Sequence, residues 1–429
     1  MKKNINQMRG DRGAAMLIAV IFFLFATMTI ILGVASPILK QAAVSKNIIT
    51  SKGSYYLAQG STEDILYRLK NSKQVAGTEV MSLNGGTVST SITDTGTGKK
   101  LISDASISSL NRKVQTIVTF GTGVAFFYGV QSGQGGFDLQ NSSSIIGNVY
   151  SAGPITGSGN LIYGDVVSSG PTGLINGIHA TGTAYAHTIQ NSTIDKDAHY
   201  TTKTSTTVGG ASYPGSSDLP DAPLPISDAQ ISTWESDAAA GGTVTCSGGT
   251  YNISSSRSIG PIKVPCDLNI SGNTTVSLTG AVWVTGNITI QNNSIIKVSS
   301  SLGNKSVVMI ADNPSNRNSS SQISLQNSSS FQNSGTAGSF VLMIAMNNSG
   351  ENGGGNSAIQ NSNSAGGAVI LYAPHGLITL QNSINVKEVT AYRITLQNSA
   401  QVRYDTGLPS SLFNSGPGGG YDITDWREI

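Results

Sequence analysis

Charge is scarce in this sequence: Asp, Glu, Lys and Arg make up 11% of its 429 residues, against about 25% in an average soluble protein. With 25 basic and 23 acidic residues the formal net charge is +2. No broad positive field exists to hold phosphate backbones, and no nucleic-acid partner is expected. Cysteine is nearly absent. Cys246 and Cys266 are the two present, too few for a disulfide framework and not in the CxxC spacing of zinc or thioredoxin-like sites. They could form one staple in an oxidising compartment, closing a loop of about twenty residues worth roughly 3 kcal/mol by the chain-entropy argument. Two unpaired small apolar side chains are the alternative.

Four histidines, His179, His187, His199 and His375, stand too far apart for a standard metal box and read as surface or turn residues. No phosphate-binding glycine loop, GxSxG elbow or EF-hand loop occurs, and Gly353-Gly354-Gly355 lacks a following Lys-Ser/Thr. No cofactor, metal or catalytic residue is assigned. Glycine is plentiful, with 51 residues against roughly 30 for an average chain of this length. Many glycines and few charges favour turn-rich β structure.

One long apolar run interrupts that composition. From Ala14 to Ala35 there are 22 consecutive uncharged residues, enough at 1.5 Å per residue to cross a hydrocarbon core of about 30 Å. Lys2, Lys3, Arg9 and Arg12 precede it against the single acid Asp11. The leader is therefore expected to stay cytoplasmic, with the chain after Ala35 exported. The run exceeds the core of a secretory signal peptide. Helical spacing continues through Ile38, Leu39, Ala42, Ala43, Ile48, Ile49, Tyr55, Tyr56, Leu57, Ile65, Leu66 and Leu69. Pro37 is expected to kink this helix and Gly53 to weaken it without ending it.

The basic leader ending in Arg12-Gly13, followed by Ala14-Ala15-Met16-Leu17-Ile18, resembles the class III signal of type IV prepilins. Tyr55-Tyr56-Leu57-Ala58-Gln59-Gly60-Ser61-Thr62-Glu63-Asp64 and the closing Tyr421-Asp422-Ile423-Thr424-Asp425-Trp426-Arg427-Glu428-Ile429 resemble PilX-type minor pilins. The resemblance implies that a prepilin peptidase cuts between Gly13 and Ala14 and leaves the helix in the membrane. It also implies other pilins and the pilus assembly machinery as partners. One position departs from the family pattern: the fifth mature residue, usually Glu, is Ile18. Without that carboxylate a neighbour's terminal amine would be buried unpaired along a filament shaft, which favours a place at the tip.

The expected architecture is mainly β, with a long N-terminal transmembrane helix, a small antiparallel sheet and a parallel β-helix (solenoid). The segments are a leader at 1–13, the stalk helix at 14–72, the sheet at 73–127 and the solenoid at 128–429. Thr87–Ile92 and Arg112–Val118 alternate as sheet strands, with turn chemistry at Asp94–Gly98. Solenoid coils are read from a recurring tetrad headed by Leu139, Ile189, Ile290, Leu325, Ile359, Leu380 and Leu396, as in Leu325-Gln326-Asn327-Ser328. The last five are 35, 34, 21 and 16 residues apart; the short gaps suit one coil and the long gaps about two. Stacked coils are expected to align Asn on Asn, each amide donating to the next and satisfying groups that could not otherwise be buried. The runs Val307–Ala311, Phe340–Ala345 and Ala368–Ala373 are apolar on both faces, as strands of a covered sheet are.

An insertion over about 195–245 carries Leu219-Pro220-Asp221-Ala222-Pro223-Leu224-Pro225 and then a capping-box pattern, Ser227 with Gln230, ahead of Ile231, Trp234 and Ala238. It reads as a short helix flanking the solenoid, with Trp234 as a buried anchor. Solenoids also host glycan-cleaving enzymes, but Asp312, Glu351 and Glu388 are isolated in sequence. The expected role is a minor pilin-like subunit, not an enzyme, in the cytoplasmic membrane through residues 14–35. Its exported domain would reach the cell surface or pilus, there priming assembly or adhering to a host or environmental surface ligand. An uncleaved membrane-tethered adhesin or envelope scaffold is the alternative, and a glycan-cleaving enzyme a remote one.

Overall fold

The computed structural model describes residues 8–70, 75–95, 98–120, 126–405, 408, 412–413 and 421–429, so leader residues 1–7, the helix end predicted at 71–72, and Gly96 and Thr97 of the predicted turn lie outside the described residues. Helix α1, Met8–Lys70, runs unbroken through Pro37 and Gly53 for 63 residues, about 95 Å at 1.5 Å per residue. From Ala15 to Ile49 nearly every side chain is exposed. Beyond that point a stripe at three- and four-residue spacing is buried: Ser54, Leu57, Ala58, Ser61, Thr62, Ile65 and Leu69.

From Ser54 to Thr62 that stripe lies on an antiparallel sheet of β1 (Thr78–Leu83), β2 (Gly86–Asp94), β3 (Gly98–Ile107) and β4 (Leu110–Phe120). The last strand of the chain, Tyr421–Glu428, joins the same sheet beside β4 instead of the solenoid. Arg112 Nη1 meets Glu428 Oε1 at 2.8 Å, and Gln115 Nε2 donates to Asp425 Oδ2 at 3.0 Å. Four hydroxyls mesh where helix meets sheet: Ser61 with Thr90 at 2.8 Å, Thr62 with Ser103 at 2.8 Å, and Thr90 with Ser103 at 2.7 Å. Gly86 permits this close approach, since a Cβ there would stand 2.8 Å from Leu57 Cδ2.

Helix α1 as far as Tyr67 and this sheet form one compact unit; Phe120–Asp422 belongs to the other. The second unit is a parallel β-solenoid. On one face, successive rungs align Asn252, Asn269, Thr289, Ser324, Gln360, Thr379, Thr395, Asp138, Thr156, Asn176, Gln190 and Thr204. These twelve rungs span about 53 Å at the usual strand spacing of about 4.8 Å. Their order is not the order of the chain. The stack begins at residue 250, runs to 403, continues without a break at residue 130 and ends at 216. The chain thus enters and leaves the stack at its middle, where Tyr404 Oη donates to the Phe126 carbonyl at 2.7 Å.

Closing this permuted path requires a return from the last rung to the first, and residues 217–249 make it as a strap along one flank. In sequence order, Asp218 meets His187 at 3.1 Å, Leu219 O accepts from Gly170 N at 2.9 Å, and Pro220 O accepts from Tyr150 Oη at 3.0 Å. Pro223 O then accepts from Gln131 Nε2 at 2.9 Å, and Ile226 O from Tyr372 Oη at 2.5 Å. Helix α2, Asp228–Ala240, follows and covers an apolar outer face. Trp234, Ile231 and Ala238 join Val308, Ile310, Leu342, Ile344, Ile370 and Tyr372 in one buried cluster, while Val307, Met309, Val341, Met343, Val369 and Leu371 face the solenoid core. The two-faced apolar runs exist because the strap buries the second face.

Several expectations change. The gaps of 35 and 34 residues are single coils: Ile288 pairs with Ile323 and Ile323 with Ile359. The extra length leaves as polar loops at 312–322, 333–339 and 347–356. The interruption starts later than 195, because Ala198–Thr204, Thr207–Val208 and Ser212–Pro214 are regular rungs. Ser227 caps α2 by accepting from Gln230 N at 3.2 Å, and the buried Gln230 Nε2 has no hydrogen-bond partner. Each histidine lies on a strand, not in a turn.

Candidate functional site

Two surfaces and two side-chain clusters stand out as candidate sites. The first surface is the N-terminal part of α1. Its apolar stretch is unburied, and α1 is long and apolar enough to cross a membrane. Gly13 and Ala14 lie within α1. Ile18 is 67% exposed, amid Met16, Leu17, Val20 and Phe22, which are also exposed. An apolar residue there leaves nothing to neutralise a cation brought against this stretch.

The second surface is a ladder of amides along the solenoid. Asn327 Nδ2 donates to Asn292 Oδ1 at 3.2 Å, Asn363 to Asn327 at 3.2 Å, Asn382 to Asn363 at 3.0 Å, Asn398 to Asn382 at 3.2 Å and Asn141 to Asn398 at 2.9 Å. Each of these Asn residues and the residue after it has positive φ, between 47° and 64°, the left-handed region that Asn tolerates best after Gly. The Asn-on-Asn alignment is as expected, yet the ladder is exposed and not buried. In one coil the wrong Asn was expected: Asn361 pairs with Leu325 and Leu380 at a core position, and Asn363 holds the ladder place. Asn361 is fully buried with neither amide atom hydrogen-bonded. Its column-mates are Leu, a mismatch that sequence spacing alone concealed.

The first cluster sits beneath α2. Asp312, fully buried, takes a two-pronged bond from Arg317, Nε to Oδ1 at 2.8 Å and Nη2 to Oδ2 at 2.7 Å. Burial, then the neighbouring Asp312, push the carboxyl of Glu235 in α2 up to about 8, and its Oε1 has no hydrogen-bond partner. This pair was invisible in sequence, because Glu235 belongs to the strap and Asp312 to a coil. Glu388 is likewise buried, beside Thr390, which donates to its Oε1 at 2.5 Å; Oε2 has no partner. Burial holds that carboxyl well above its ordinary range.

In the second cluster His375 bridges two acids, Nδ1 to Glu351 Oε2 at 2.7 Å and Nε2 to Asp228 Oδ2 at 3.2 Å. His179 pairs with Asp195 at 2.9 Å. His199 lies stacked between Tyr185 and Tyr213, ring centroids 4.4 Å apart on either side; their even 14-residue spacing in sequence was a readable signal of successive rungs. Among the described residues no group of three or more His, Cys, Asp or Glu side chains is placed to hold a metal ion. Cys246 and Cys266 form a disulfide with Cα atoms 6.4 Å apart, tying the end of the strap to the first coils.

No protein-family model matches the sequence. No curated protein matches it either. Among solved structures the chain is similar to the competence-associated pilin ComZ from Thermus thermophilus, with 10% sequence identity and a TM-score of 0.40 over 89% of this chain and 97% of that one.

Proposed function

We propose that this chain is a minor pilin-like subunit of a type IV pilus or related filament, of the PilX type, whose solenoid primes assembly or adheres to a surface. The observation that carries this reading is the division of α1. One stretch is apolar and bare, while the next is packed on an antiparallel sheet through Leu57, Ala58 and Thr62. A bare apolar helix finds cover in a bilayer or among similar helices, where side-chain packing drives association because lipid already solvates such residues. In this reading a prepilin peptidase cuts between Gly13 and Ala14, the membrane holds residues 14–35, and the solenoid is exported. Ile18 in place of the usual carboxylate favours the filament tip, where few neighbours bring an amine against it.

N-terminal sequencing and intact-mass measurement of the membrane-extracted protein test this. A mature terminus at Ala14, and retention of the full-length form when Gly13 is replaced by a bulky residue, are expected. A terminus at Met1 in a host with an active prepilin peptidase would make the chain a membrane-tethered surface protein instead.

A further inference from the structure

The solenoid satisfies its amide ladder only by half. Asn327, Asn363, Asn382 and Asn398 each donate one amide N–H to the coil before and accept one bond from the coil after. A side-chain amide carries two N–H donors and two carbonyl lone pairs, so at each of these exposed steps one donor and one acceptor stay open to solvent. From Asn292 to Asn141 the row spans about 24 Å at the usual strand spacing. Asn293, Ser328, Ser364 and Ser383 lie beside it, and with the amides they line an open groove of about 740 Å³ in which every lining side chain is Asn or Ser. The ladder stops where the surface deepens. One coil beyond Asn141, Asn160 turns inward: its Nδ2 donates to Ser143 O at 3.0 Å and its Oδ1 accepts from Ser158 N at 2.9 Å. Gly159, at φ 83°, adds no side chain there. The space left is a second hollow of about 480 Å³, with Ser142 on its rim and Ile146, Leu161 and Tyr163 in its wall. Tyr163 stands beside Ile146 on the neighbouring strand and is 49% exposed.

Resting on the exported, adhesive solenoid proposed above, we propose that groove and hollow together bind a linear, uncharged polysaccharide, its hydroxyls on the open amide positions and one sugar ring against Tyr163. A sugar hydroxyl both donates and accepts, which matches a row that offers one donor and one acceptor at every step. The tyrosine ring gives the apolar C–H face of a sugar a rigid platform with a polar tip. The same lining excludes other ligands. A phosphate- or sulfate-bearing polymer needs Lys or Arg, and neither hollow has a charged residue in its lining. A lipid or an apolar peptide needs an apolar floor, which the amide groove lacks.

Native electrophoresis of the full-length protein, solubilised in a detergent without a sugar headgroup, through gels containing dextran, mannan, laminarin or hydroxyethyl cellulose tests this. Retardation by at least one of these neutral polymers is expected, and none by heparin or polygalacturonate. Tyr163→Ala is expected to weaken retardation at least about fivefold. Asn327→Gly with Asn363→Gly, which keeps the left-handed turns and removes the amides, is expected to weaken it as well. Tyr213→Ala removes another exposed tyrosine, 45% accessible and outside both hollows, and is expected to bind as the wild type does. No retardation by any neutral polymer, full retardation of Tyr163→Ala, or an equal loss in Tyr213→Ala would each overturn the proposal and leave the ladder a structural device only. The outcome is separable from that of the terminal sequencing: a chain cut at Ala14 that binds no glycan keeps the pilin reading and loses the ligand, and a glycan-binding chain that begins at Met1 does the reverse.

Discussion

Asn141 donates its side-chain amide to Asn398 at 2.9 Å across 257 residues of sequence. This bond crosses the seam where the two halves of the solenoid meet, the strand Glu388–Gln397 lying parallel to Val130–Leu139 with Leu396 opposite Leu139. No covalent turn joins these neighbouring rungs, unlike other adjacent pairs in the stack. Core columns and amide ladder pass through the seam, and the backbone ladder does so with one irregularity, between Ala391 and Arg393. The chain therefore builds one continuous solenoid from two segments, and the strap supplies the connection that the permuted order removes.

At Asn398 the ladder and the backbone make separable contributions. Its φ is 53°, so alanine there costs about 1–2 kcal/mol of left-handed strain in addition to two exposed ladder bonds of roughly 0.5 kcal/mol each. Glycine loses the bonds alone. Asn398→Ala is expected to lower the urea midpoint of the solenoid clearly, and Asn398→Gly by no more than half as much. Equal losses in the two variants would show that the turn conformation contributes nothing.

Much of this was legible in the sequence because it rests on local periodicity. The stripe through Leu57, Ile65 and Leu69, the cap at Ser227, the buried Trp234 and the two-faced apolar runs each follow from spacing or residue type. What sequence could not carry was pairing between distant segments. Nothing near Leu139 announces Leu396 as its neighbour, and nothing near Tyr421 announces β4. Spacing points to Asn361 as a ladder residue because its tetrad copies the repeat, while the loop at 347–356 lets that coil meet its neighbours two residues out of step.

Burial of Glu388 makes stability depend on pH. Its folded carboxyl titrates well above the ordinary value of 4.5. The folded state thus holds the proton more tightly, and its advantage is complete below about pH 4.5 and declines as pH rises toward the folded value. Glu388→Gln keeps an acceptor for Thr390 but never ionises. It is expected to exceed the wild type in stability by about 1–3 kcal/mol at pH 8, the difference shrinking toward pH 4. A gap of constant size across that range in denaturant titrations would refute the role given to ionisation.

The disulfide closes a short loop at the end of the strap. A closed loop of about twenty residues stabilises by roughly 3 kcal/mol in the chain-entropy argument. Reduction, or replacement of both Cys246 and Cys266 by Ser, is expected to lower the melting temperature and to speed proteolysis first within 243–266. Cleavage appearing first at the seam instead would locate the weak point elsewhere.

The other end of the solenoid is blunted by its side chains. Ile155, Ile175 and Ile189 form a core column, and the next place in it is taken by Lys203. Its Nζ bonds Ser212 Oγ at 3.3 Å and lies 5.4 Å from the Tyr200 ring, while Ser212 itself ends the column of Ala184 and Ala198. Pro214, in the last strand, offers no N–H to a neighbour. A charge at the end of an apolar column and a proline on the free edge both oppose stacking of another solenoid on this end. Lys203→Ile is expected to produce concentration-dependent end-to-end pairing beyond that of the wild type in sedimentation velocity, and Lys203→Ile with Pro214→Val to strengthen it. If both variants sediment as the wild type does at every concentration, the protection comes from the shape of the last coil and not from its chemistry.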